Sequence, residues 1–191
     1  MLIVTQGDIT LFNVDAIVNA ASTHLHRGGG VGGAIHRAAG PALLTACRTY
    51  IRQHGRIRTG DAVLTPAGHL PCRYVIHTVG PHWLFGLRAR HQDKLLAKAY
   101  YQALMLAREN VLQRIAFPCI STGHYFYPHE RAARIAINTI IDFLAENGAD
   151  MDVLCVCYNK RDFRIYQRLL AQAHKPGLVM SPPEIRRPMD M

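Results

Sequence analysis

The chain has 191 residues, 49% hydrophobic and 18% charged, with a net charge of +9. This length and composition suit one globular domain with a full core, and no apolar run approaches the ~20 residues of a membrane span. The excess charge attracts polyanions, but small basic clusters at Arg48–Arg58, Arg161–Arg168 and Arg186–Arg187 lack the interleaved aromatics of a single-strand binder, so it reads as a solvated surface favouring an anionic ligand, with nucleic acid the lesser alternative.

Strand and helix signals alternate along the chain. Residues 1–9 show no signal peptide, so a cytoplasmic protein is expected. Leu2–Thr5 and Ala16–Asn19 read as short apolar strands. A helix over Ala34–Ala39 is interrupted by Gly40-Pro41. Pro41 then opens a second helix that groups Leu44, Cys47 and Ile51 and stops at Gly55. Asp61–Thr65 and Tyr74–Val79 are β-rich, and Gln92–Asn110 is a helix with an apolar stripe that includes Leu95, Ala99 and Leu106. Arg114–Ile120 is a buried-type strand, His129–Asn147 a helix ending at Gly148, Val153–Tyr158 a strand and Arg161–Ala173 a last helix. The domain is expected to span 1–174. The Pro-rich remainder, 175–191, reads as a flexible tail, a lid or a docking peptide. The five cysteines lack Cys-x-x-Cys spacing and are expected to be reduced, mostly buried thiols.

Such alternation argues for helices on both faces of a mostly parallel sheet, with ligands bound beyond the carboxyl ends of the strands. Three loops follow strands: the glycine-rich segment, Ser121–Pro128 and Asn159–Asp162. The first is the most informative, because five of the six positions Gly28–Gly33 are glycine. Glycines let a ligand approach the backbone, and consecutive N–H groups leading into a helix make a phosphate seat. Gly28, Gly30 and Gly33 satisfy the dinucleotide pattern, but the run lies far from its strand and no acidic residue occurs between Asp15 and Asp61 to hold a ribose. A P-loop also fails, since no Lys-Ser/Thr follows. A surface loop without ligand is the plain alternative. In the second loop, Ser121, Thr122 and the Gly123 amide can donate to phosphate, and Tyr125 or Phe126 can cover a sugar or base. An ordinary turn with core aromatics is equally consistent with it.

Together these segments resemble the macrodomain family of ADP-ribose-binding modules over roughly residues 4–172. The resemblance rests on Gly7-Asp-Ile-Thr10, Val14-Asp-Ala-Ile-Val-Asn-Ala-Ala21, Gly28-Gly-Gly-Val31, Ala34-Ile-His-Arg-Ala-Ala-Gly-Pro41, Thr59-Gly60, Val75-Ile-His-Thr-Val-Gly-Pro81 and Ala116-Phe-Pro-Cys-Ile-Ser-Thr-Gly123. The branch is MacroD-type, similar to bacterial O-acetyl-ADP-ribose deacetylases. It implies a three-layer α/β/α fold around a mixed, mostly parallel sheet. It implies binding of ADP-ribose and hydrolysis of ADP-ribosyl esters, on a modified protein or on O-acetyl-ADP-ribose, by a monomer without metal or other cofactor. Asp8 would accept from the adenine amino group beside the Ile9 amide, although Asp there also suits a turn or cap. Asn19 would floor the distal ribose site. Gly28, Gly29, Gly30 and Val31 would wrap the diphosphate from one side, and Ser121, Thr122, Gly123, His124 and Tyr125 from the other. Tyr158 and Asn159 would pack against adenine, with a core position the alternative for Tyr158.

The chain departs from this pattern around the distal ribose. Ser22 stands where the family has a second Asn, and Gly32 where it has the Asp assigned to the attacking water. Arg27 and Phe126 replace glycines; the first would add a phosphate contact and the second narrow the cleft. Asn19, Ser22 and Gly32 are thus the candidate catalytic positions. A missing base costs about 10²–10⁴-fold in rate, so a catalytically weak or inactive ADP-ribose reader is the alternative function. His24, His26 and His36 are candidate substitute bases, each also consistent with an ordinary loop or helix-surface histidine.

Overall fold

The computed structural model describes residues 1–147 and 150–173. Gly148 and the expected tail lie outside them. Six strands form the centre: β1 (Leu2–Gln6), β2 (Val14–Ala20), β3 (Ala62–Pro66), β4 (Cys72–Thr78), β5 (Arg114–Phe117) and β6 (Asp152–Cys157). They lie in the order β1-β6-β5-β2-β4-β3, every pair parallel except β3 on β4. The five helices are α1 (Gly30–Ala39), α2 (Pro41–His54), α3 (Ala89–Glu109), α4 (His129–Asn147) and α5 (Lys160–Gln172).

Successive strand side chains point to opposite faces, so strands buried on both sides read as continuous apolar runs. Ala16 and Val18 of β2, with Val153, Cys155 and Cys157 of β6, pack under α3, α4 and α5. Ile17, Leu154 and Val156 pack on the other face under α1 and α2. The result is the expected three-layer α/β/α arrangement. No helix among the described residues is long and apolar enough to cross a membrane. All five cysteines are free, with Cys47, Cys155 and Cys157 buried.

Four boundaries and faces differ from expectation, each for a local reason. β5 stops at Phe117, because Pro118 has no N–H for the ladder. α1 begins at Gly30, so its first turn is made of the glycine run itself. Glycine is a poor helix former, but Gly33 admits nothing larger: a Cβ there would lie 2.9 Å from the Gly28 carbonyl oxygen. The buried pair of α2 is Leu43 and Cys47, leaving Leu44 and Ile51 half-buried on its flank. The core stripe of α3 runs through Leu96, Ala99, Tyr100, Ala103 and Leu104, so Leu95 and Leu106 are half-buried rather than central.

Candidate functional site

A cleft of about 210 Å³ opens between the loops that follow β2 and β5. It brings together Asn19, Ser22, Arg27, Gly28, Gly29, Gly30, Val31, Gly32, Ser121, Gly123, His124 and Tyr125 of the expected set, and adds Gly80 and Cys119.

One wall is the start of α1. Gly29 caps the helix, and the Gly33 N–H donates to the Gly29 carbonyl at 3.0 Å. N–H groups at the start of a helix have no intrahelical acceptor, and the helix dipole adds positive potential there. This wall therefore suits an anion. Gly28 and Gly30 each hold φ near +53°, a conformation that glycine adopts without strain.

The opposite wall is Ser121–Tyr125. Ser121 is buried with φ +67°, and its Oγ has no partner among the described residues. Its position depends on Gly80, where a Cβ would come within 2.1 Å of the Ser121 Oγ. The His124 imidazole faces the glycine run: Cβ atoms at Gly29 and Gly30 would lie 3.4 Å from its Cε1 and 3.7 Å from its Nδ1. The Tyr125 ring stacks on His82 with centroids 3.5 Å apart. Thr122 does not line the cleft; its Oγ donates to the Cys119 carbonyl at 3.0 Å. Phe126 is 75% exposed and does not narrow the cleft, whereas Tyr127 is buried and donates to Asp93.

The floor is Asn19, 1% exposed at the end of β2. Its Nδ2 lies 3.1 Å from Nδ1 of His77, which sits beside it on β4. An amide nitrogen only donates, so the His77 Nδ1 must accept and the Nε2–H is free to donate to the Thr65 Oγ at 2.9 Å. Burial, helped by nearby His36, pushes the His77 pKa down to about 3 and keeps the ring neutral. The clamp leaves the buried Asn19 Oδ1 without a partner among the described residues. Gly32 faces that oxygen: a Cβ there would lie 3.3 Å from it. The Cys47 Sγ lies 3.7 Å from the His77 Nε2, and burial raises its thiol to about 11, so Cys47 is not a thiolate.

Ser22 lines the cleft, but its Oγ is engaged by its own loop, accepting from the His26 N–H at 3.2 Å. Of the three candidate bases, only His26 reaches the cleft. His24 stacks on His26, and His36 is buried in α1 with its pKa lowered by burial and by Arg27. Asp8, Ile9, Tyr158 and Asn159 lie at the paired ends of β1 and β6, tied by the Gly7 N–H donating to the Cys157 carbonyl at 3.0 Å. Asp8 does cap: its Oδ1 accepts from the Thr10 N–H at 2.9 Å and the Thr10 hydroxyl at 2.7 Å, leaving Oδ2. Tyr158 is 80% exposed, which excludes the core alternative. The Asn159 side chain caps α5, accepting from the Asp162 N–H and donating to the Asp162 carboxylate, both at 2.8 Å. Sequence reasoning missed His77, Thr65 and Gly80 as parts of the site. A histidine inside an otherwise apolar strand run was the available signal for the first.

A family model described as Macro domain matches residues 18–136. An O-acetyl-ADP-ribose deacetylase of Salmonella newport (strain SL254) is 54% identical over 170 residues, covering 88% of this chain and 93% of that protein. The solved Oceanobacillus iheyensis macrodomain with ADP is 45% identical with a TM-score of 0.84, covering 88% of this chain and 89% of that one. A Trypanosoma brucei macrodomain in complex with ADP-ribose is 40% identical with a TM-score of 0.78, covering 87% and 68% respectively.

Proposed function

This chain belongs to the macrodomain family, and from that premise we propose that it binds ADP-ribose and hydrolyses ADP-ribosyl esters, releasing acetate from O-acetyl-ADP-ribose or freeing a modified carboxylate on a protein. One observation carries the reading. Two buried oxygens, Asn19 Oδ1 and Ser121 Oγ, lack partners among the described residues, in a cleft whose other wall is a helix N-terminus. Buried polar atoms without partners are costly in a folded protein, and a phosphorylated sugar would satisfy both.

In this reading the diphosphate lies between the α1 amides and Ser121–Gly123. The distal ribose sits over Asn19, whose Oδ1 accepts from a ribose hydroxyl. Adenine lies at the β1/β6 rim, with the Asp8 Oδ2 facing its amino group and the exposed Tyr158 ring covering it. Water attacks the acyl carbon, the acyl–oxygen bond breaks, and the ribose oxygen leaves with a proton. No carboxylate stands at position 32 to take the water's proton, so water is positioned by Asn19, the loop amides and the ligand's phosphate oxygens.

The same absence favours a second reading, binding without turnover. Gly32 has no side chain, and the Ser22 Oγ is already engaged by the loop. Calorimetry with ADP-ribose, followed by acetate release from O-acetyl-ADP-ribose, separates the two. Binding with acetate release supports hydrolysis. Binding without release assigns the protein as a reader. Absence of both binding heat and thermal shift refutes the ligand assignment.

A further inference from the structure

The cleft continues into a second hollow of about 470 Å³, walled by His24–His26 and by Leu44, Arg48, Ile51 and Arg52 of α2. His26 lines both spaces, and Ser22 and Arg27 line the cleft at the same end. This is the distal end in the reading above, where an acyl group on the ribose would emerge.

The charge around this hollow is one-sided. Ala16–Gly60 carries six arginines (Arg27, Arg37, Arg48, Arg52, Arg56 and Arg58) and no aspartate, glutamate or lysine. Arg27, Arg48 and Arg52 are exposed, and none takes part in an ion pair among the described residues. Elsewhere, by contrast, Arg73, Lys98, Arg131, Arg134 and Arg168 each face a carboxylate of the chain itself. The floor is apolar, with Leu25 buried and Leu44 and Ile51 half-buried. Leu25 holds φ +55°, a left-handed conformation that side chains rarely adopt. The face is thus cationic at its rim and greasy below.

We infer that this hollow is a docking subsite for an acidic polypeptide segment, the residues flanking a carboxylate whose ADP-ribose fills the cleft. The inference rests on the ADP-ribose reading above and names the substrate class within it. An acetyl group needs no space beyond the cleft, whereas this hollow is the larger of the two. Guanidinium forks match carboxylates in pairs, and the apolar floor accepts the aliphatic stems of glutamate. Single-stranded nucleic acid fits less well, because it needs free aromatic faces, and the rings of His24 and His26 stack on each other at 5.4 Å.

The test uses peptides carrying ADP-ribose through a non-hydrolysable linkage, flanked by glutamates in one and by serines in the other. Their dissociation constants are measured beside that of free ADP-ribose. In R48A/R52A the glutamate-flanked peptide should bind about tenfold more weakly, as expected for two exposed charge pairs, and the effect should shrink at high salt. The serine-flanked peptide and free ADP-ribose should be unchanged. R48E/R52E should reverse the preference toward lysine-flanked peptide, which a damaged fold would not do. Equal losses for both peptides, no loss for either, or a loss confined to single-stranded RNA binding would overturn the proposal. Failure of free ADP-ribose to bind the unaltered protein would instead overturn the reading beneath it.

Discussion

The buried clamp on Asn19 makes the fold acid-sensitive in a pH range that can be calculated. His77 has an ordinary pKa of 6.5 and is pushed to about 3 by complete burial. Its folded value is depressed, so the unfolded chain takes the proton first. The contribution is fully present above 6.5 and is lost progressively as pH falls toward 3. At about 1.36 kcal/mol per unit, lowering pH from 6.5 to 4.5 should cost about 2–3 kcal/mol from this residue. His36, also lowered by burial, acts in the same direction. Asp15 and Asp93 are held below 3.8 by their hydrogen-bond partners and contribute only at lower pH, while exposed Glu130, held below 4.5 by Arg168, enters only at the low end, so the two histidines dominate the window above about pH 5. Urea unfolding at pH 7.0, 6.0, 5.0 and 4.5 measures the slope. In His77→Asn a carbonyl replaces Nδ1 as acceptor for Asn19, but nothing titrates. That variant should lose about 1–3 kcal/mol at pH 7 from the cavity and the unpaired Thr65, yet show a flatter slope. An unaltered protein that loses less than about 1 kcal/mol across the window, or a variant with the same slope, would refute the assignment. Ligand binding should follow stability, because a protonated His77 cannot accept from Asn19.

Three further outcomes are expected. Gly32→Asp should raise acetate release from O-acetyl-ADP-ribose by about 10²-fold or more while changing ADP-ribose affinity little, and unchanged release would locate the limit elsewhere. The new Cβ sits 3.3 Å from the Asn19 Oδ1, so the substitution requires a shift of a few tenths of an ångström. Gly33→Ala should destabilise the protein by about 1–3 kcal/mol and abolish calorimetric binding of ADP-ribose, because the added methyl lies 2.9 Å from the Gly28 carbonyl and unseats the loop. Tyr158→Ala should leave thermal stability within about 0.5 kcal/mol, since the side chain is 80% exposed, but weaken ADP-ribose several-fold; equal affinity would remove Tyr158 from the adenine site.

Much of the cleft was legible because its walls are local in sequence. A glycine run that opens a helix, and a Ser-Thr-Gly turn that leaves a strand, are each written in consecutive residues, and both line the cleft. Helix faces were less legible. On α2 and α3 the expected Cys47 and Ala99 are buried, but the core takes Leu43 and Leu96 in place of the expected Leu44 and Leu95. An apolar periodicity fixes that a helix has an inner face, but neighbouring elements choose which of two adjacent leucines points inward. Exposure was not legible at all for Phe126 and Tyr158, whose rings stand in solvent beside buried Tyr127 and Cys157.

By itself the sequence determined the alternating α/β order, the glycine-rich start of a helix at Gly28–Gly33, and the absence of carboxylate and amide side chains at positions 32 and 22. These follow from backbone freedom, strand and helix periods, and residue identity alone. Only the tertiary structure decided how the cleft is armed. Thr65 and His77 come from two different strands, and together they orient Asn19 so that one oxygen remains unpaired beside Gly32. Gly80 and Ser121, 41 positions apart in the sequence, meet closely enough that no side chain fits between them. Burial makes such arrangements decisive, because each polar atom removed from water must find a partner across the fold or be left for a ligand.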